Sequence, residues 1–295
     1  EFRSAPLHLA VTIKGFVMSP ISPLRRLLAA GAAFSALATL GAAPAQAQGD
    51  LLVAPTRVII NNAGSAEVVL SNIGSQPATY RISAELRRMD EDGDFAEVKE
   101  ADANPAEQAA LAMVTFAPRR ITLLPGQPQS VRIAVRPPEG LADGEYRVHM
   151  NFRAVPPAPA PEAATADEAA GLSIRLVPVY GITIPVFLRR GRLEGGASLA
   201  NPHLLSTTHG SFVELDMNRT GQRSVYGALI GKNAHGEVLF ELKGIAIYAE
   251  ISHRKVQISV PPEALAKLKG PVRIEYRELA ENGGALLAET SAVFP

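Results

Sequence analysis

Residues 172–190 read LSIRLVPVYGITIPVFLRR. Aliphatic and β-branched residues dominate the run, while Pro178 and Pro185 exclude both a helix and a central strand paired along both edges, because proline fixes φ and lacks an N–H. The stretch therefore reads as an edge strand over at least part of its length. Taken two residues at a time, Leu172, Ile174, Leu176, Pro178, Tyr180, Ile182 and Ile184 share one face, an apolar stripe longer than one sandwich usually covers. Aliphatic side chains beside an unpaired backbone edge invite strand addition from another chain.

Working outward, residues 156–171 (PPAPAPEAATADEAAG) carry no apolar periodicity and read as a loop too long for a hairpin turn. Upstream, 66–71 (AEVVLS), 78–86 (ATYRISAEL), 130–135 (SVRIAV) and 145–152 (EYRVHMNF) are short β-rich runs. Asn62-Ala63-Gly64, Asp92-Gly93, Pro125-Gly126 and Asp143-Gly144 separate them with turn chemistry. Downstream, 212–217, 225–231, 237–242, 255–260, 272–279 and 286–294 continue the pattern, with one short helix expected at 262–268. The spacing predicts an all-β chain of two immunoglobulin-like β-sandwich domains set at an angle. Their boundary falls near 191–196 (GRLEGG), which divides the chain into 48–190, carrying the long edge strand 172–190, and 191–295.

The 295-residue chain balances 29 basic against 29 acidic residues, so its charge offers no footprint for nucleic acid. It has no cysteine, which excludes disulfides, a thiol nucleophile and thiolate metal sites. Residues 1–17 read as an upstream segment outside the fold. From Met18, a basic start at Arg25 and Arg26, a small apolar run and Ala45-Gln46-Ala47 form a secretory signal over 18–47. That signal predicts a periplasmic mature chain with no membrane insertion after cleavage.

Catalytic machinery is not visible. Apart from His8 in the upstream segment, the histidines His149, His203, His209, His235 and His253 lack metal-ligand spacing, and there is no G-x-S-x-G elbow, P-loop or dinucleotide fingerprint. Met89 to Asp94 (MDEDGD) reads as an acidic hairpin tip, its glycine being misplaced for a calcium loop. His149, beside Met150, reads as a packed or rim histidine, and Asn218-Arg219-Thr220 as a plain turn. No enzyme activity, cofactor or metal is expected.

Several residues in order then carry a resemblance: Pro55-Thr56-Arg57, Ser71-Asn72, Leu124-Pro125-Gly126 before Ser130-Val131-Arg132-Ile133, and the run from Asn151 to Pro157 (NFRAVPP). In this order they resemble the periplasmic pilus chaperones of the PapD type, over nearly all of the chain after 47. Weaker matches are Gly244-Ile245-Ala246-Ile247-Tyr248 and Asn282-Gly283-Gly284. The resemblance implies a protein that caps pilus or fimbrial subunits by lending a strand, through Leu172, Ile174, Leu176, Pro178 and Tyr180, and delivers them to an outer-membrane usher. It further implies that Arg57 anchors the subunit's terminal carboxylate. Pro185 stands where the family commonly has a lysine, which implies either that Arg189 or Arg190 substitutes or that carboxylate capture is weaker and the apolar stripe carries more of the binding. Glu145, Arg189 and Glu281 match a charged cluster linking the two domains. The long loop without a cysteine pair marks a divergent branch, and the edge strand leaves self-association open. The rival readings are a secreted adhesion or carbohydrate-binding module, disfavoured by the absence of Trp and only 5% aromatic residues, and a hydrolase using dispersed carboxylates.

Overall fold

The computed structural model describes residues 51–156 and 178–294, apart from the side chain of Glu281. The readings made for 1–17, for 18–47 and for Leu172, Ile174 and Leu176 lie outside the described residues. Ten strands form the first sandwich: Leu51–Ala54 (β1), Val58–Asn61 (β2), Gly64–Asn72 (β3), Ala78–Met89 (β4), Phe95–Val98 (β5), Val114–Ala117 (β6), Arg120–Leu123 (β7), Pro128–Val135 (β8), Gly144–Val155 (β9) and Gly181–Arg190 (β10). One sheet has the order β1-β3-β8-β6, and the other β2-β10-β9-β4-β5 with β7 also on β4. This is the immunoglobulin arrangement, in which strands one, two, five and four oppose strands three, six and seven.

Alternation explains the core. On β4, Tyr80, Ile82 and Leu86 face inward; on β9, Val148, Met150 and Phe152; on β10, Ile184, Val186 and Leu188. The C-terminal part of the apolar stripe, Ile182 and Ile184, therefore fills its own sandwich. The first strand of the fold is split: β1 pairs antiparallel with β3, then the chain crosses to the other sheet, where β2 lies parallel to β10. Val58 to Asn61 pair with Val186 to Arg189, so only that half of β10 is flanked on both sides. Gly181 to Pro185 pair with β9 alone among the described residues, and the described residues 178–180 of the proline-bearing run lie before the strand rather than in it.

A helix not expected from the sequence, Pro105–Met113 (α1), closes one end of this sandwich and buries Ala110 and Met113. Asn104 Oδ1 accepts the Glu107 N–H at 2.9 Å and Glu107 Oε2 accepts the Asn104 N–H at 2.8 Å, a reciprocal cap with Pro105 in the first turn.

The second sandwich comprises Gly195–Thr207 (β11), Gly210–Gly221 (β12), Val225–Asn233 (β13), Val238–Ile247 (β14), His253–Ser259 (β15), the single-turn helix Pro262–Leu265 (α2), Gly270–Arg277 (β16) and Leu286–Phe294 (β17). Its sheets run β11-β12-β15 and β14-β13-β16-β17, again an immunoglobulin order, around Val213, Leu215, Met217, Leu229, Ile274 and Tyr276. β11 follows directly on 191–194 and was not expected from the sequence. It carries a bulge between Ala200 and His203 and is largely half-exposed. A third, small cluster joins the two sandwiches: Met89 and Phe187 from the first meet Ala246 and Tyr248 from the second.

Candidate functional site

Phe187 shows how the junction is built. Its neighbours Val186 and Leu188 point into the first core, so period two turns Phe187 outward, and there it is fully buried against the Tyr248 ring, centroids 5.5 Å apart. Arg57 immediately precedes β2 and so arrives beside this part of β10. Its guanidinium lies over the rings of Phe187 (4.0 Å), Tyr226 (4.6 Å) and Tyr248 (5.6 Å) and donates from Nη2 to Ser224 Oγ at 3.2 Å. Burial lowers the Arg57 pKa from its ordinary value, with Tyr248 and then Glu145 opposing that shift. The group stays a cation, since a guanidinium is not deprotonated in proteins.

Beside it, Glu145 on β9 accepts from Arg189 Nε at 2.9 Å and from the Ser224 N–H at 3.0 Å. Its carboxylate is thereby committed to two donors. Arg57 has no carboxylate partner among the described residues, although it is fixed on three aromatic faces. A cleft of about 510 Å³ opens over this arrangement, lined among others by Arg57, Arg189, Arg223, Ser224, Tyr226 and Asn282. An anion entering it meets the guanidiniums of Arg57 and Arg223, the Ser224 hydroxyl and the Glu145-paired Arg189, with the Glu278 carboxylate also on the lining, so the cationic side is the one that suits a carboxylate.

The structure thus brings Arg57, Arg189 and Glu145 together. Arg190, the next residue on β10, takes the opposite side by strand alternation and lies 3.7 Å from Asp143, outside the cleft lining. Glu281 occupies the 3-10 turn Ala280–Asn282, whose Asn282 lines the cleft; the Glu281 side chain lies outside the described residues. Pro178 and Tyr180 precede β10 and are exposed, Tyr180 being 47% accessible. Pro185 lies within β10 opposite His149.

A second group of contacts flanks the cleft. Arg147 binds Glu250 at two points, 2.9 and 2.6 Å, donates to the Arg87 carbonyl at 2.7 Å and lies 4.1 Å over the Tyr248 ring. The acidic tip between β4 and β5 is organised by Asp90, whose Oδ1 accepts the N–H groups of Asp92 and Asp94. That tip touches the second sandwich, the Lys255 N–H donating to the Glu91 carbonyl at 2.8 Å.

No protein-family model matches the chain, and no curated protein matches it. Solved structures similar to it include the YadV chaperone, at 14% identity over 83% of this chain and 99% of that one, with a TM-score of 0.45. The E. coli chaperone DraB is similar at 14% identity over 83% and 96%, TM-score 0.42. The Pseudomonas aeruginosa CupB2 chaperone is similar at 14% over 83% and 100%, TM-score 0.41.

Sequence reasoning missed Phe187, Ser224, Tyr226 and Arg223 as parts of the site. One signal for Phe187 was present: in Val186-Phe187-Leu188 a large aromatic interrupts the inward-outward alternation, which marks an outer face that something covers. Ser224, Tyr226 and Arg223 carry no comparable local sign.

Proposed function

We propose that this chain is a periplasmic chaperone of pilus or fimbrial subunits, acting without catalysis, cofactor or nucleotide. In this reading 48–190 and 191–295 are its two domains. A client's terminal strand adds to the free edge of β10 along Gly181 to Pro185, its carboxylate seated on Arg57, and the upstream residues Leu172, Ile174 and Leu176 fill the client's open groove before delivery to an outer-membrane usher. The observation that carries the reading is the position of Arg57. A guanidinium locked on Phe187, Tyr226 and Tyr248, without a carboxylate partner among the described residues, stands at the place where β2 stops flanking β10. A strand prolonging the line of β2 along Gly181 to Pro185 ends at that cation. The ordered sequence landmarks quoted above support the same reading.

The test is a titration of the chain with a peptide of alternating apolar residues, made once with a free C-terminal carboxylate and once amidated. The free acid is expected to bind at least about tenfold more tightly, and Arg57→Ala to remove that preference, as the loss of a charge-assisted pair implies. Equal affinity for both peptides removes Arg57 from the mechanism. Absence of binding by either overturns the reading.

A further inference from the structure

The outer face of the first sandwich changes character along its length. At one end Phe187, His149 and Arg147 lie buried or half-buried at the junction with the second sandwich. At the other end the strand registers place three arginines in one row. Arg81 on β4 is the direct partner of Arg120 on β7 and of Arg153 on β9. All three are exposed, their inward-facing neighbours Tyr80, Ile82, Ile121 and Phe152 being core residues.

Like charges directly opposite one another across strands repel, and adjacent strands are only about 4.8 Å apart. Acids placed among them would relieve this, yet the only two on this face of β4, β9, β7 and β10 are engaged elsewhere. Glu85 binds Arg87 and Asn151, and Glu145 binds Arg189 and Ser224. Among the described residues none of the three arginine side chains makes a hydrogen bond or ion pair. In a chain of zero net charge this is a local concentration of unneutralised cation.

The row does not end at Arg153. Its next member, on β10, is Gly181, the partner of Arg153. Gly181 lies where β10 has no second neighbour among the described residues, so a strand added to that edge places one residue in the same row. That residue stands roughly 9–10 Å from Arg153, two strand spacings away, with no side chain on Gly181 between them. The nearest side-chain atom to where a Gly181 Cβ would stand is Asn151 Oδ1, at 3.2 Å; an arginine reaching past it would meet a carboxylate at that position with a planar, two-point donor.

We infer that the row Arg120, Arg81 and Arg153 is a recognition surface for an acidic side chain carried by the client's terminal strand at the position opposite Gly181, with Arg153 as the contacting residue. The inference rests on the chaperone reading above and adds a side-chain specificity to it: β10 and Arg57 recognise backbone and terminus, whereas Arg153 reads the sequence.

The experiment uses the free-acid peptide of the previous section, with a single Glu moved along it one position at a time and Gln at the same positions as reference. One position is expected at which Glu tightens binding by about tenfold over Gln, the size of one charge-assisted contact. Arg153→Gln should erase that gain without altering affinity for the Gln peptides, and Arg153→Glu should transfer the preference to a Lys peptide. Gln peptides that bind while Glu gains nothing at any position, gains equally at all, or keeps its gain in Arg153→Gln, overturn the inference and leave the chaperone reading standing. If no peptide binds, both fall.

Discussion

Glu145 and Ser224 belong to different sandwiches, 79 residues apart in sequence, and share one hydrogen bond of 3.0 Å, from the Ser224 N–H to Oε1 of Glu145. The other carboxylate oxygen takes Arg189 Nε, and the Ser224 hydroxyl takes Arg57. A single acid therefore links the junction between the sandwiches to the position of the Arg57 guanidinium. With its side chain only 2% exposed, Glu145→Ala leaves Arg189 unpaired and the Ser224 N–H without its acceptor, at a cost of roughly 3 kcal/mol. Glu145→Gln retains an oxygen for Ser224 and should cost less. Urea denaturation of both variants checks the order, and equal losses would show that the Ser224 bond contributes nothing.

Arg147 and Glu250 form a further charged contact across the junction. Both Arg147→Ala and Glu250→Ala should destabilise beyond the loss of the pair itself, the first through the bond to the Arg87 carbonyl and the packing on Tyr248, the second through the Met89 N–H left without its acceptor. A double-mutant cycle should return a coupling of about 1–3 kcal/mol, this being a two-point pair that is mostly buried on the arginine side. A coupling near zero would mean that the pair is a solvated ornament of the surface.

His149 is 4% exposed, with Nδ1 buried and unbonded and the Phe95 ring 5.5 Å away. Burial first, then the charges of Arg147, Arg87 and Arg57, push its pKa down from 6.5 to about 3. The folded state thus holds the neutral ring, while the unfolded chain takes up a proton near 6.5. Stability from this site is full above that pH and falls as the pH drops towards 3, by about 1.4 kcal/mol per unit. Between pH 7 and pH 5 the loss should reach about 2 kcal/mol. Chemical denaturation at the two pH values measures it, and His149→Leu should remove this share of the decrease. A variant with the same decrease as the parent would refute the assignment.

Gly227 sits at a bulge in β13, where a Cβ would come within 2.0 Å of the Arg277 carbonyl oxygen on the neighbouring strand. Backbone cannot swing aside as a side chain does, so Gly227→Ala should cost about 1–3 kcal/mol through forced separation of β13 and β16. A melting temperature within a degree of the parent would contradict this.

Tyr226→Leu should spare the fold more than the function. It removes one of the three rings that hold the Arg57 guanidinium, at 4.6 Å. The preference for free-acid over amidated peptide should shrink several-fold, while affinity for the amidated peptide stays unchanged. Loss of affinity for both peptides would point to general loosening of the junction.

Much of the fold was legible because alternation is a local property. Tyr80, Ile82 and Leu86, or Val131, Ile133 and Val135, announce an inward face within a single short run, and the Gly and Asp turns fix where each run stops. The helix α1 escaped notice because it buries only Ala110 and Met113, too few to set up a helical period, although Asn104-Pro105-Ala106-Glu107 is a legible cap. β11 escaped because Gly195, Gly196, Asn201 and Pro202 are poor strand formers; its conformation comes from pairing with β12.

By itself, then, the amino-acid sequence determined the all-β class of the chain and the positions of most strands, both of which follow from periodicity and turn chemistry. Tertiary structure alone decided that Phe187, Tyr226 and Tyr248 meet around that arginine, that Glu145 reaches Ser224, and that Arg81, Arg120 and Arg153 stand in one row beside Gly181. Such groupings depend on strand register and on how one sandwich meets the next, and both are set by contacts between residues far apart in the chain, on which local pattern is silent.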